Sequence, residues 1–110
     1  NWMLPGGKLE YYETVKSAAA RELEEETGIL ALESKFTNVV YDKDNDEGVP
    51  NIHFAFLVTN FQNEPEVKEP EKFEKWEWFD LNDLPKEMIY THQAVLKTFI
   101  EKRNFMDLEK

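Results

Sequence analysis

A mixed α and β fold is predicted by three features of the chain. A helical stretch closed by a glycine stands in its first quarter, two runs rich in valine and aromatics occupy its middle, and an apolar helical stripe lies near its end. In order, Met3-Leu4 before Pro5-Gly6-Gly7 predicts a short strand running into a turn. Helical spacing of Val15, Ala18, Ala19, Glu22, Leu23 and Glu26 predicts a helix over 14–27, with Gly28 as its stop. Phe36–Asp42 predicts a strand, 42–50 a polar hairpin loop, and 51–61 a second strand with both faces buried. The prolines and charges of 63–72 predict a solvated connection. Phe73–Phe79 predicts another strand, 81–85 a short turn, and 92–103 a closing helix whose stripe is Val95, Leu96, Phe99 and Ile100.

The chain has 110 residues, the length of a single domain spanning 1–110. A hydrophobic fraction of 41%, with 14% aromatic, suffices for a packed core. Thirteen basic residues against 23 acidic ones give a net charge of −10, which argues against nucleic acid as a partner. An anionic small substrate remains compatible with that charge if cations mediate. Cysteine is absent, which removes disulfides and thiolate zinc sites and agrees with a cytoplasmic protein. No apolar window of about 18 residues predicts a membrane span. Asn1 opens the chain, so it is read as a piece of a longer protein.

Glu22, Glu24, Glu25 and Glu26 crowd one end of the predicted helix. At about 3.6 residues per turn, Glu22 and Glu26 stand one above the other, with Glu25 beside them. Like charges at this spacing repel, and a helix C-terminus is the wrong end for negative charge. A hard divalent cation with oxygen ligands, Mg²⁺ or Mn²⁺, would remove both penalties. Taken alone, such a cluster is an ordinary solvated helix face.

Spacing points elsewhere. Gly7, Glu13, Arg21-Glu22-Leu23, Glu25-Glu26 and Gly28-Ile29 form a run that resembles the signature of the Nudix hydrolases. A chance match at that many positions is rarer than about one window in a million. Leu4-Pro5-Gly6-Gly7 before the box, and the stretch from Glu69 to Phe79 followed by Leu84-Pro85, extend the similarity. The wording is nearest the branch acting on modified purine nucleoside triphosphates. The resemblance implies a Nudix-type α/β/α sandwich with a mixed sheet, α+β in class, lacking its N-terminal strands in this chain. It implies Mg²⁺- or Mn²⁺-dependent hydrolysis of a nucleoside triphosphate to the monophosphate and pyrophosphate. By that resemblance Glu22, Glu25 and Glu26 are catalytic and metal-binding, with the Gly6 or Gly7 carbonyl completing the site. Glu25 is a third ligand or a water-positioning base. Glu13, Arg21, Gly7 and Gly28 support the box, and Glu71 or Glu74 is an accessory acid. Met3, Leu4, Lys8 and His92 are substrate-binding candidates. A nucleotide is the implied partner, and a homodimer the implied assembly to test.

Other residues have plainer readings beside these. Asp42, Asp44, Asp46 and Gly48 hint at a calcium loop. The hint fails, because Glu47 occupies the sharp-turn position and His53 the twelfth. His53, Trp76 and Trp78 read as structural, the tryptophans sharing a core face. Tyr12 stands where the family commonly has glycine. Two alternatives accompany the triphosphate reading: another nucleoside diphosphate-linked substrate, such as a nucleotide sugar or dinucleotide, and a catalytically silent nucleotide-binding module.

Overall fold

The computed structural model describes residues 1–43 and 48–108. Its elements are α1 (Val15–Thr27), β1 (Leu30–Asp42), β2 (Asn51–Gln62), α2 (Tyr90–Ile100) and β3 (Phe105–Leu108). The strands form one sheet in the order β2-β1-β3. β1 and β3 run parallel, in register from Val39 opposite Phe105 to Asp42 opposite Leu108. β1 and β2 run in opposite senses, since Thr37 Oγ1 donates to the Ala55 carbonyl while Thr59 Oγ1 donates to that of Glu33. The class is therefore α+β with a mixed sheet, as the sequence predicts.

The chain divides into two compact units. One holds Asn1–Met3, Phe36–Leu57 and Glu87–Lys110; the other holds Leu4–Lys35 and Val58–Lys86. In the second unit, α1 begins where Thr14, with extended backbone, accepts a hydrogen bond on its side chain from Ser17 N at 3.1 Å. It ends at Gly28, whose φ of 79° is left-handed and whose N–H returns to the Glu24 carbonyl. Ala18, Glu26 and Thr27 are its buried residues.

The core of the first unit mixes apolar and polar side chains. Val40, Ala94, Val95 and Leu108 are buried together with Asn38, Asp42 and Thr98. The polar members are satisfied: Asn38 Nδ2 donates to the Val95 carbonyl at 3.1 Å, and Thr98 Oγ1 to the Ala94 carbonyl at 2.7 Å. α2 closes on a Schellman turn. Lys102 N–H returns to Phe99 and Arg103 N–H to Thr98, both at 3.0 Å, with Lys102 at a φ of 58°.

Several expectations are corrected. Residues 73–79 form no strand; the Lys72 and Phe73 amides turn back onto the Glu69 carbonyl instead. Trp78 is 61% exposed rather than in the core, while Trp76 is half-buried. β1 starts at Leu30, six residues before the expected Phe36, and β3 has no counterpart in the sequence reading. A run of four residues becomes a strand only because the edge of β1 is there to pair with it. α2 spans 90–100 rather than 92–103, because Ile89 supplies no side-chain cap and a lysine takes the place of a stop glycine. β2 is not buried on both faces: Ile52 and Phe54 are 58% and 46% exposed. Trp2 makes only an isolated parallel bridge to Met88, not a strand. The hairpin and calcium-loop readings fall largely on 44–47, outside the described residues. Among the described residues no helix is long and apolar enough to cross a membrane.

Candidate active site

Helix periodicity determines which acids meet. Glu22 and Glu26 lie one turn apart on α1, so their carboxylates are neighbours and the charge of Glu22 bears on Glu26. Glu26 is 6% exposed, and its Oε1 accepts a hydrogen bond from the Gly6 backbone N–H at 3.0 Å. Burial pushes the Glu26 carboxyl up to about 7; the Gly6 N–H opposes this, and the neighbouring Glu22 and Glu69 add to it. The turn before the helix approaches just as closely at its next residue. A Cβ on Gly7 would fall on the Glu22 carboxylate, with its two oxygens at 2.5 and 2.6 Å. A side chain at this position would make the Glu22 carboxylate move, while the backbone conformation itself does not call for glycine.

Arg21 organises the flank of this pair. Its guanidinium grips Glu13 with two hydrogen bonds, Nε to Oε2 at 2.6 Å and Nη2 to Oε1 at 3.0 Å. Nη2 also donates to the Lys8 carbonyl at 3.0 Å. Nη1 reaches Glu22 at 2.8 Å and Glu25 at 3.1 Å. These bonds hold the Glu13 carboxyl below the usual carboxylate range and raise Arg21 above its ordinary value. The fork thus ties the 8–13 loop to the helix and partly neutralises the acidic strip.

The candidate residues are distributed unevenly. Gly6, Gly7, Glu13, Arg21, Glu22, Glu25 and Glu26 are joined by the contacts above. Glu25 is directed to Arg21 and is 50% exposed, not stacked on Glu26. Leu4, Lys8 and Gly28 belong to the same unit, whereas Met3 and His92 belong to the other. Glu71 and Glu74 are exposed. The loop acid whose charge adds to the upward shift of Glu26 is Glu69, which the sequence reading did not single out. Glu69, Glu71 and Glu74 look alike in the text, and only the turn accepted by the Glu69 carbonyl distinguishes the first.

The donor set suits a hard cation. Two carboxylates forced together beside a cradle that a Cβ would fill need either a proton or a metal between them, and both ligands are oxygen. Among the described residues, no three His, Asp or Glu side chains converge tightly enough to hold a metal by themselves. Glu22 and Glu26 would therefore hold an ion that draws its remaining ligands from backbone, water and phosphate, the usual habit of Mg²⁺.

Known proteins resemble this chain along most of its length. An "ADP-ribose pyrophosphatase" of Methanocaldococcus jannaschii is 33% identical over 101 residues, covering 92% of this chain and 58% of that protein. An "oxidized purine nucleoside triphosphate hydrolase" of Danio rerio is 25% identical over 107 residues, covering 96% of this chain and 66% of that one. A crystal structure of a MutT NUDIX hydrolase from Burkholderia pseudomallei superposes with a TM-score of 0.80 at 36% identity, covering 87% of this chain and 74% of that chain. The chain thus spans about three-fifths of the length of these two sequence relatives. Residues 1–101 match the NUDIX domain as a family, and with the glycine turn, the Arg21 fork and the paired glutamates in place, the chain belongs to the NUDIX family.

Proposed function

We propose that this chain hydrolyses a purine nucleoside triphosphate, oxidised or otherwise modified, to the monophosphate and pyrophosphate with Mg²⁺. The observation that carries the reading is the Glu22–Glu26 pair, pressed together beneath the Gly6-Gly7 turn. Bound there, the ion supplies positive charge against the phosphate oxygens. The protein's part is to position and to handle protons. Glu22 and Glu26 offer oxygens from one helix face. Arg21 keeps Glu22 and the 8–13 loop in place. Glu25, half-exposed beside Arg21, is the carboxylate proposed to orient the attacking water and accept its proton. Lys8, exposed on the same loop, is proposed to meet a phosphate. Leu4, in the same unit as the glycine turn, is proposed to contact the base. The Danio rerio relative supports the modified-purine substrate.

A second reading is favoured by the Methanocaldococcus jannaschii relative: the same bond cleaved in a nucleoside diphosphate linked to another group. Product analysis in ¹⁸O-labelled water separates the two, using a panel of nucleoside triphosphates, ADP-ribose and nucleotide sugars. Glu26→Gln tests the site itself. Loss of Mg²⁺-dependent turnover by about 10–100-fold is expected. Survival within about threefold removes Glu26 from the mechanism. Tight nucleotide binding without turnover of any substrate would establish the silent module instead.

A further inference from the structure

We infer that Trp76 is a positioning residue for Glu26, fixing the backbone of the residue whose side chain faces Gly6 and Glu22. The inference rests on the proposed metal site and adds to it a part of the chain far from the signature. A helix leaves its last carbonyls without intrahelical partners. At the end of α1, one segment fills these places. Trp76 Nε1 donates to the Glu26 carbonyl at 3.0 Å, and Lys68 N reaches the same oxygen at 3.4 Å. Glu66 N donates to the Thr27 carbonyl at 2.8 Å, and Asn63 Nδ2 to the Gly28 carbonyl at 3.1 Å. Residues 63–76 thus form a strap across the end of the helix.

Glu26 is consequently held at both ends, by its carbonyl through Trp76 and by its carboxylate through Gly6. Helix ends fray, and an ion ligand on a fraying turn would lose the sub-ångström placement such sites need. The indole suits the task. It is rigid, it has a single donor, and its ring lies 4.7 Å from that of Phe73, which fixes its direction. The Lys68 contact is too long to replace it. Trp76 touches neither phosphate nor ion in this reading; it acts through Glu26.

Trp76→Phe keeps most of the ring and deletes the donor. The readout is Mn²⁺ affinity without nucleotide, measured by electron paramagnetic resonance, alongside the Mg²⁺ dependence of turnover. A weakening of Mn²⁺ binding by about 10-fold is expected, with a parallel rise in the Mg²⁺ needed for half-maximal rate and unchanged nucleotide KM at saturating Mg²⁺. Trp78→Phe, which removes the indole bonded to Glu64 at 3.2 Å, should change neither. Mn²⁺ affinity within twofold of wild type in folded Trp76→Phe overturns the inference. If that variant does not fold, 3-benzothienylalanine placed at position 76 decides by the same criterion, since it keeps the bicyclic shape without the N–H. A wild-type protein that binds Mn²⁺, loses affinity on this change and cleaves no nucleotide sustains the positioning role while the hydrolase reading fails. A wild-type protein that binds no Mn²⁺ overturns the inference.

Discussion

The Gly6 backbone N–H donates to the Glu26 carboxylate at 3.0 Å, across 20 residues of sequence. Turn and helix end are therefore one structural unit. Anything that displaces the turn displaces an acid buried at the far end of the box.

Gly7→Ala should be damaging for a steric reason. The added methyl meets the Glu22 carboxylate, so either the turn or the acid must move. The Glu22 carboxylate, the far end of a flexible side chain, is what gives way, so turnover is expected to fall by about 10-fold or more while stability changes by less than about 1 kcal/mol. Steady-state kinetics against Mg²⁺ and urea denaturation check the two parts separately.

Metal binding should expel a proton. With its carboxyl pushed up to about 7 by burial, Glu26 is largely protonated at pH 6 in the ion-free protein. A cation favours the ionised form, so affinity should rise as pH increases from 5.5 toward 8. Calorimetry at pH 6 in buffers of different ionisation enthalpy should report release of roughly one proton. Zero release would remove Glu26 from the ligand set.

Acid should loosen the core of the α2-bearing unit. His53 and His92 face each other with ring centres 6.4 Å apart, and His53 Nε2 is buried without a hydrogen-bond partner. Burial holds both imidazoles below their ordinary value; buried Asp42 pulls His53 partly back, and His53 lowers His92 further. Because the unfolded chain takes up these protons first, their contribution is complete above about pH 7. It is lost as pH falls through the depressed folded values, at no more than about 1.4 kcal/mol per pH unit for each group. Urea denaturation of wild type and His53→Phe at pH 7.5 and 5.5 should show a flatter pH dependence in the variant.

Tyr12→Gly should stabilise. Tyr12 is 94% exposed and holds a φ of 65°, a conformation natural to glycine. Relief of about 1–2 kcal/mol of left-handed strain outweighs the greater unfolded-state entropy of glycine, leaving a gain of roughly 0.5–1 kcal/mol. A thermal melt showing a lower Tm would mean that the Tyr11–Tyr12 ring contact, with centres 4.2 Å apart, contributes more than the strain costs.

What the sequence determined by itself is local. Helix period aligned Glu22 with Glu26, and Gly28 marked the end of α1, because both signals are carried by residues within a turn or two of one another. The spacing of the box likewise marks the family, since residue types alone carry it. The tertiary structure decided what depends on partners distant in sequence. β3 exists by pairing with β1, the charge of Glu69 adds to the upward shift of Glu26, and Trp76 turns from a supposed strand residue into a clasp on the Glu26 carbonyl. Even the end of α2 belongs here, since Lys102 adopts a glycine's conformation that no residue type signalled. A hydrogen bond or a desolvated charge depends on where two groups meet in space, and that meeting is a property of the folded chain.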